Sequence, residues 1–470
     1  MMTTASGAAV NDVHSQLNET RVAEVVHVDS LPALQQAVVR ARSTGVPVAV
    51  CGGRHAMGGQ QFVTGGILVD TTRMNRVLEL DCERGVALLE AGIQWPTLMR
   101  ELAGRQADDP RPWTFAQKQT GADRLSLGGA VAANGHGRGL TMPPMVADVA
   151  GLLVVDPEAA VRRVSRDEQP DLFRLVVGGY GLFGIISAVE LRLVRRRQLE
   201  RVVEVFELDR LPSAFAARIE SGYLYGDFQF AIDPDSPAFL RRGVFSCYRP
   251  LDEERPIPAG QRALTRDDWR RLLVLTHADK AQAFERYAEH YLATSGQRYW
   301  SDAHQSAEYI DGYHRDLDAQ LRSPHPGTEM ITEVYVPRER LIDFMEETAE
   351  ELRRRRADVI YGTVRLVEPD RETFLAWARE RWACVIFNLH VTHTDGGRRA
   401  AVGAFRALID LAIARGGSYF LTYHRFARRE QVLACYPEFP DFLARKREFD
   451  PDEVFQSDWY RHNRALLADR

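Results

Sequence analysis

The chain has no run of about 18 apolar residues, which a membrane-crossing helix would require. It also lacks charge of one sign. Sixty Lys and Arg against 65 Asp and Glu leave −5, which excludes the basic footprint of a nucleic-acid partner. Its cysteines are few, and Cys51, Cys82, Cys247, Cys384 and Cys435 form no CxxC pair. An odd, scattered set argues against a disulfide framework or a structural zinc site, and for a reducing compartment; the cytoplasm is expected, and no metal. The opening MMTTASGAAVNDVHSQ has no basic stretch leading into an apolar core, so no signal peptide is expected and residues 1–20 read as a disordered lead-in. No internal repeat stands out.

What is present is a globular composition, 45% hydrophobic and 27% charged. At 470 residues the chain is long enough for two or more cores. A strand over 22–28, a helix over 31–42 capped by Ser30, and short strands over 77–80 and 86–90 suit a small α+β unit better than a doubly wound nucleotide fold. From about residue 202 the texture becomes richer in aromatics. Alternating patterns predict strands over 330–336, 359–367 and 383–391 and helices over 338–354, 370–381 and 400–415, the last after a Gly396-Gly397 hinge. Residues 300–328 read as a polar, mobile loop, and 416–424 as a strand candidate ending in polar aromatics.

Three glycine-dense stretches carry the chemistry. The first, V-A-V-C-G-G-R-H-A-M-G-G-Q over 48–60, places Gly52, Gly53, Gly58 and Gly59 around Arg54 and His55. Bare backbone there lets N–H groups converge on an anion such as a diphosphate, although a hairpin with a surface histidine fits the loop alone equally well. The second, over 119–139, spreads Gly121, Gly128, Gly129, Gly135, Gly137 and Gly139 among alanines, so backbone can lie flat against a large planar or phosphorylated ligand. The third, G-G-Y-G-L-F-G-I-I over 178–186, has G-x-G spacing but runs into a strand, which disfavours a Rossmann fingerprint.

In this order, the three motifs resemble those of the vanillyl-alcohol-oxidase, or PCMH-type, FAD flavoproteins, nearest the aldonolactone, alditol and decaprenylphosphoryl-ribose oxidase branches. The closing F-D-P-D-E-V-F-Q-S-D (449–458) resembles the family's C-terminal return to the flavin domain. The resemblance covers roughly 20–200 and 416–465. It implies an α+β protein: a PCMH-type FAD-binding domain of two α+β subdomains over 21–202, a central α+β cap over 203–415, and a segment over 416–470 returning to the first domain.

The cofactor implied is FAD. The first motif would hold it through Cys51, Gly52, Gly53, Arg54, His55, Ala56, Gly59 and Gln60. The second would supply Gly121, Ala122, Ser126, Gly128, Gly129, Ala133, Asn134, His136 and Gly137, and the third Gly179, Gly184, Ile185 and Ile186. His55 falls where many members bond covalently to the flavin 8α carbon, although the preceding family glycine is Arg54 here. The cysteine of doubly linked members is replaced by Ala122, so a second bond is not expected.

The implied reaction is oxidation of a CH–OH carbon of a sugar, polyol or lactone by hydride transfer to flavin N5. A small hydroxylated molecule is the donor, and oxygen or another electron acceptor takes the electrons. His136, with Gly137, would orient or deprotonate the substrate hydroxyl. Arg365 would grip a hydroxyl or phosphate, or else face solvent. Tyr423 stands where those branches carry a catalytic lysine, and His424 follows it. Asn388 and His390, two apart on a strand, share a face and either line the pocket or are satisfied core groups. A C=C reductase on the same scaffold, or a flavin- or carbohydrate-binding protein without turnover, are the alternatives.

Overall fold

The computed structural model describes residues 7–252, 255–306, 310 and 312–468. Helices and sheets are mixed throughout. A helix over Leu31–Thr44 starts after extended Ser30 with Pro32 in its first turn and stops at Gly45, whose φ of 66° suits glycine. Its Leu34, Ala37, Val38 and Ala41 recur at helical spacing and are buried, fastening it to a three-stranded parallel sheet. That sheet has the order Glu24–His27, Ile67–Asp70, Val48–Cys51.

A six-stranded antiparallel sheet follows. Val161–Ser165, Val149–Val155, Ile185–Arg195, Val86–Glu90 and Val77–Asp81 lie in that order, and Trp113–Phe115 joins the far end of Ile185–Arg195. The tail lies against the parallel sheet: Val48 N–H donates to Val454 O (2.7 Å) and Gln456 N–H to Val48 O (2.9 Å). Asp450 organises that turn, accepting from Lys446 Nζ at 2.9 Å and from the N–H groups of Val454 and Phe455, all buried.

The third sheet has eight antiparallel strands, in the order Arg298–Trp300, Gln198–Glu207, Arg242–Pro250, Tyr225–Phe230, Val359–Val367, Trp382–Thr392, Gly327–Pro337, Ser418–Tyr419. It crosses both boundaries expected for a cap at 203–415. Successive side chains alternate between its faces. On one face Met330, Val334, Leu389, Phe387, Val364 and Phe228 pack into the main core with the helices Leu341–Arg355 and Asp395–Ile413. On the other, Glu329, Glu333, His390, Asn388, Thr363 and Arg365 stand together, with Glu333 meeting His136 of the second glycine stretch.

Several expectations fail for physical reasons. Residues 7–20 are ordered: Ala8–Val10 pairs with Thr20–Val22, and the buried Asp12 carboxylate accepts from Ser15 N (2.6 Å), Ser15 Oγ (2.8 Å) and Asn18 Nδ2 (3.0 Å). The first six residues of that expected lead-in lie outside the described residues. The polar stretch 300–328 contains a helix over Tyr313–Leu321; 307–309 and 311 lie outside the described residues. No helix forms over 370–381. Asp370 accepts from the N–H groups of Glu372 (2.8 Å) and Thr373 (3.1 Å) and from Asn134 Nδ2 (2.8 Å), and Trp377 Nε1 donates to Asn134 O (3.0 Å). These ties outweigh helical spacing. Gly396 and Gly397 are no hinge but the first turn of Asp395–Ile413, capped by Thr394, which accepts from Gly397 N at 3.0 Å. The strand expected over 416–424 shrinks to Ser418–Tyr419.

All three lysines are tied down: Lys118 and Lys446 are fully buried, and Lys280 donates to two backbone carbonyls and pairs with Asp358 at 2.9 Å. No helix among the described residues is long and apolar enough to cross a membrane.

Candidate functional site: a glycine-walled cavity under a polar sheet face

The first glycine stretch is not a hairpin. Val48–Cys51 and Ile67–Asp70 run parallel, and the chain between them crosses over without a helix. A Cβ on Gly52 would strike the Ser126 side chain, and one on Gly53 would lie 2.8 Å from His55 Cδ2. These close approaches require glycine. Arg54 has φ 58°, a left-handed conformation suited to the glycine of related loops, and its guanidinium reaches Asp70 at 3.2 Å.

The loop forms one wall of a cavity of about 1190 Å³, including its open mouth. Cys51, Gly52, Gly53, Arg54, His55, Ala56 and Gln60 line that wall. Gly121, Ala122, Ser126, Gly128, Gly129 and Ala133 line the adjoining one. Ile186 of the third stretch and Tyr423 of the tail complete it. Several linings were not expected from sequence: Tyr180, Gly181, Ile331, Thr422 and His14. His14 Nε2 lies 2.9 Å from His55 Nδ1, brought there by the ordered N-terminal segment, whose Val13 N–H donates to Arg54 O at 3.0 Å. Burial lowers the His14 pKa to about 3, so that ring is neutral.

The residues fit FAD. Much of the cavity wall is bare backbone, as a diphosphate and a flat ring system need. Gln60 Oε1, Gln61 Oε1 and Gln119 Oε1 are buried on that wall without a hydrogen bond among the described residues, and such orphaned acceptors match ribityl hydroxyls and a ring imide N–H.

Other expected cofactor positions lie off the wall. Gly59, φ 78°, serves the turn, and Asn134, φ 47°, spends its side chain on Asp370 and on Val146 N–H. A Cβ on Gly137 would lie 2.8 Å from Lys118 O, and one on Gly179 or Gly184 would strike Leu175 O or Val154. Those glycines admit neighbouring chain rather than ligand. Ile185 is turned into the core behind the parallel sheet.

The expected catalytic set divides. Tyr423 is on the wall; burial and the nearby Glu333 push its phenol well above the ordinary value, so it is a protonated donor at neutral pH. His424 is a correction. It is buried on the apolar side of the sheet, stacked at 4.8 Å on Phe405 and 5.3 Å on Phe426, with Nε2 3.2 Å from Thr332 Oγ1. Burial lowers its pKa to about 3, and a neutral ring closed in by aromatics has no access to substrate. His136 also lies off the wall. Its Nδ1 is 2.9 Å from Gly137 O, and its Nε2 is 2.8 Å from Glu333 Oε1.

Glu333 was not expected from the sequence. Desolvation would raise its pKa, yet His136 and the Tyr335 hydroxyl, both bonded to Oε1, hold it below the ordinary value. Like His136, Glu333 lies off the cavity wall, and so do Arg365, Thr363 and Asn388 beside it on the polar face, where Arg365 Nε, Thr363 Oγ1 and Asn388 Oδ1 are buried without a hydrogen bond among the described residues. Lys118, also missed, pairs with Asp123 at 2.8 Å; burial lowers its pKa, and Asp123 opposes this. Alternation in the sequence marks these strands but cannot say what each face meets.

A cradle of bare backbone beside a sheet with a buried polar face suits a bound FAD. Comparison with known proteins agrees. Residues 22–165 match the FAD binding domain family. L-gulono-1,4-lactone dehydrogenase of Mycobacterium tuberculosis is 24% identical over 438 residues, 93% of this chain and 95% of that one. L-galactono-1,4-lactone dehydrogenase 2 of Oryza sativa is 27% identical over 194 residues, 40% of this chain and 32% of the rice protein. Cytokinin dehydrogenase 2 of Arabidopsis thaliana is 32% identical over 149 residues, 31% of this chain and 28% of that one. The chain thus spans about a third of these plant relatives and nearly all of the mycobacterial one. Over residues 22–165 the chain carries an FAD binding domain, and in the stretches given it is similar to FAD-linked dehydrogenases.

Proposed function

We propose that this enzyme oxidises the CH–OH carbon of a sugar, polyol or aldonolactone, in a reducing cytoplasm. The carrying observation is the polar sheet face that adjoins the cavity at Ile331. Arg365 Nε, Thr363 Oγ1 and Asn388 Oδ1 are one donor and two hydroxyl- or amide-type groups buried without a hydrogen bond among the described residues, a pattern that a polyhydroxylated molecule satisfies and an apolar one does not. Bound FAD supplies the hydride acceptor and hands the electrons to oxygen or another acceptor.

The chain's own residues manage the proton and the charge. Glu333, kept ionised by His136, is close enough to raise the phenol pKa values of Tyr180 and Tyr423 on the cavity wall, and it accepts the substrate hydroxyl proton. His136 positions that carboxylate. Tyr423 donates a hydrogen bond to the reacting oxygen, and the Arg365 guanidinium steadies the negative charge that develops as the proton leaves. His55, on the cavity wall, is the proposed attachment point for FAD. Such a bond would form with loss of the imidazole N–H proton and one 8α C–H hydrogen, the two electrons passing to the enzyme's acceptor. Acid-precipitated protein that releases all its yellow colour would disprove that bond.

Anaerobic mixing with panels of aldonolactones and alditols tests the reading. Bleaching of the oxidised flavin by a member of the panel is expected; bleaching by NAD(P)H alone, or by nothing, overturns it.

A further inference from the structure

At the far end of the same polar face is a second cluster that the redox reaction does not use. Glu329 stands four residues before Glu333 on Gly327–Pro337, directly across from His390 on Trp382–Thr392. His277 reaches in from the helix Arg266–Ala278, and Tyr313 and His314 from the helix Tyr313–Leu321. The two carboxylate oxygens have different surroundings. Oε2 accepts from the Tyr313 hydroxyl and lies 2.9 Å from His314 Nδ1. Oε1 lies 3.4 Å from His277 Nε2 and 3.9 Å from His390 Nδ1, and none of these three atoms makes a hydrogen bond among the described residues although all are buried. The His277 and Glu329 side chains are only 4% and 5% exposed.

Three lone-pair atoms within 4.8 Å of one another, turned inward and unsatisfied, are expensive to bury unless something shared sits between them. We propose that His277 Nε2, His390 Nδ1 and Glu329 Oε1 bind one first-row divalent cation of the zinc class. A tetrahedral zinc ion with bonds of about 2.0–2.2 Å spaces its ligand atoms about 3.3–3.6 Å apart. The 3.4 Å pair already meets that spacing, and His390 needs a small inward shift. Two imidazoles and a carboxylate leave the fourth position for water.

The surroundings prepare the ligands. Tyr313 and His314 hold the far carboxylate oxygen, so the near one is oriented toward the imidazoles. The His390 ring lies against Gly327, where a Cβ would strike Cε1 and Nε2. Bare backbone at that position therefore sets the ring. The rings of His277 and His390 meet edge to face, 4.9 Å between centroids and 87° apart, so their nitrogens approach a common point from different directions.

The experiment uses full-length, FAD-loaded protein stripped with a chelator and dialysed against Zn²⁺, or against Co²⁺ for its ligand-field absorption to the red of the flavin bands. About one equivalent of metal per chain is expected, with a tetrahedral cobalt spectrum. His277→Asn and His390→Asn should each weaken binding by more than the roughly 10–100-fold that loss of an outer-shell partner costs, while the flavin spectrum stays intact. Wild-type protein that takes up well under one equivalent of either metal overturns the proposal. So does uptake that both variants leave unchanged.

Discussion

Glu329 and Glu333 make a natural experiment. They stand on one strand, face the same side, are equally buried and each meets histidine, yet their surroundings differ. Glu333 is closed: a single oxygen takes both His136 and Tyr335. Glu329 is open: one oxygen is held and the other lies 3.4 and 3.9 Å from two imidazole nitrogens, looser than the bonds that close Glu333. A closed carboxylate keeps its charge and waits for a proton, whereas an open one still has a bond to make. Burial alone does not define a site; what matters is which lone pairs are left over.

The contrast is broken most severely by Glu333→Gln. The amide keeps the shape and loses the base, so the flavin-bleaching rate should fall about 10²–10⁴-fold with FAD retained. Stopped-flow traces with a bleaching substrate decide it, and an unchanged rate removes Glu333 from the chemistry. Gly327→Ala attacks the other end. A methyl pressed into the His390 ring should cost about 1–3 kcal/mol of stability, read as a lower urea midpoint, and should weaken cobalt binding without altering turnover.

Acidity sharpens the comparison further. Both carboxylates have pKa values below the ordinary 4.5, so each stabilises the folded state above pH 4.5 and loses that contribution as pH falls through its folded value. His390 is the reverse. Glu329 and Asp358 raise its pKa from 6.5 against desolvation, so its contribution is complete below pH 6.5 and fades as pH rises through the folded value. In metal-free protein, urea midpoints followed across pH should show an acid limb that Glu333→Gln reduces and an alkaline limb that His390→Asn removes. The smallest effect belongs to His424→Phe. The stack on Phe405 is preserved, so kcat should stay within about twofold, at a cost near the 0.5–1.5 kcal/mol of a lost hydrogen bond. A large fall in kcat would restore the catalytic role that the geometry denies it.

Much of the cavity wall was legible because glycine at close approaches is a local requirement: Gly52, Gly53, Gly128 and Gly129 all stand on it. The third stretch was read less well: Ile186 is on the wall as expected, but Tyr180 and Gly181 join it unforeseen while Gly179 and Gly184 admit neighbouring chain. Strand periodicity located 359–367 to the residue, yet it could not assign a partner to either face. The His136–Glu333 contact joins positions 197 apart, and the His14–His55 contact depends on a segment whose polar composition reads as disorder until Asp12 is seen capping its own turn. The loop after Pro369 failed for a related reason: helical spacing is a weak preference, and one buried aspartate with several donors overrides it.

The three immobilised lysines also have a practical consequence. With arginine carrying nearly all the surface cation, the native enzyme presents almost no primary amines to acylating reagents, lysine-directed cross-linkers or amine-coupled sensor chips. Amine-reactive labelling therefore reports opening of the molecule rather than its surface, and Lys118, buried beside the second glycine stretch, would register loosening around the cofactor before the protein as a whole unfolds.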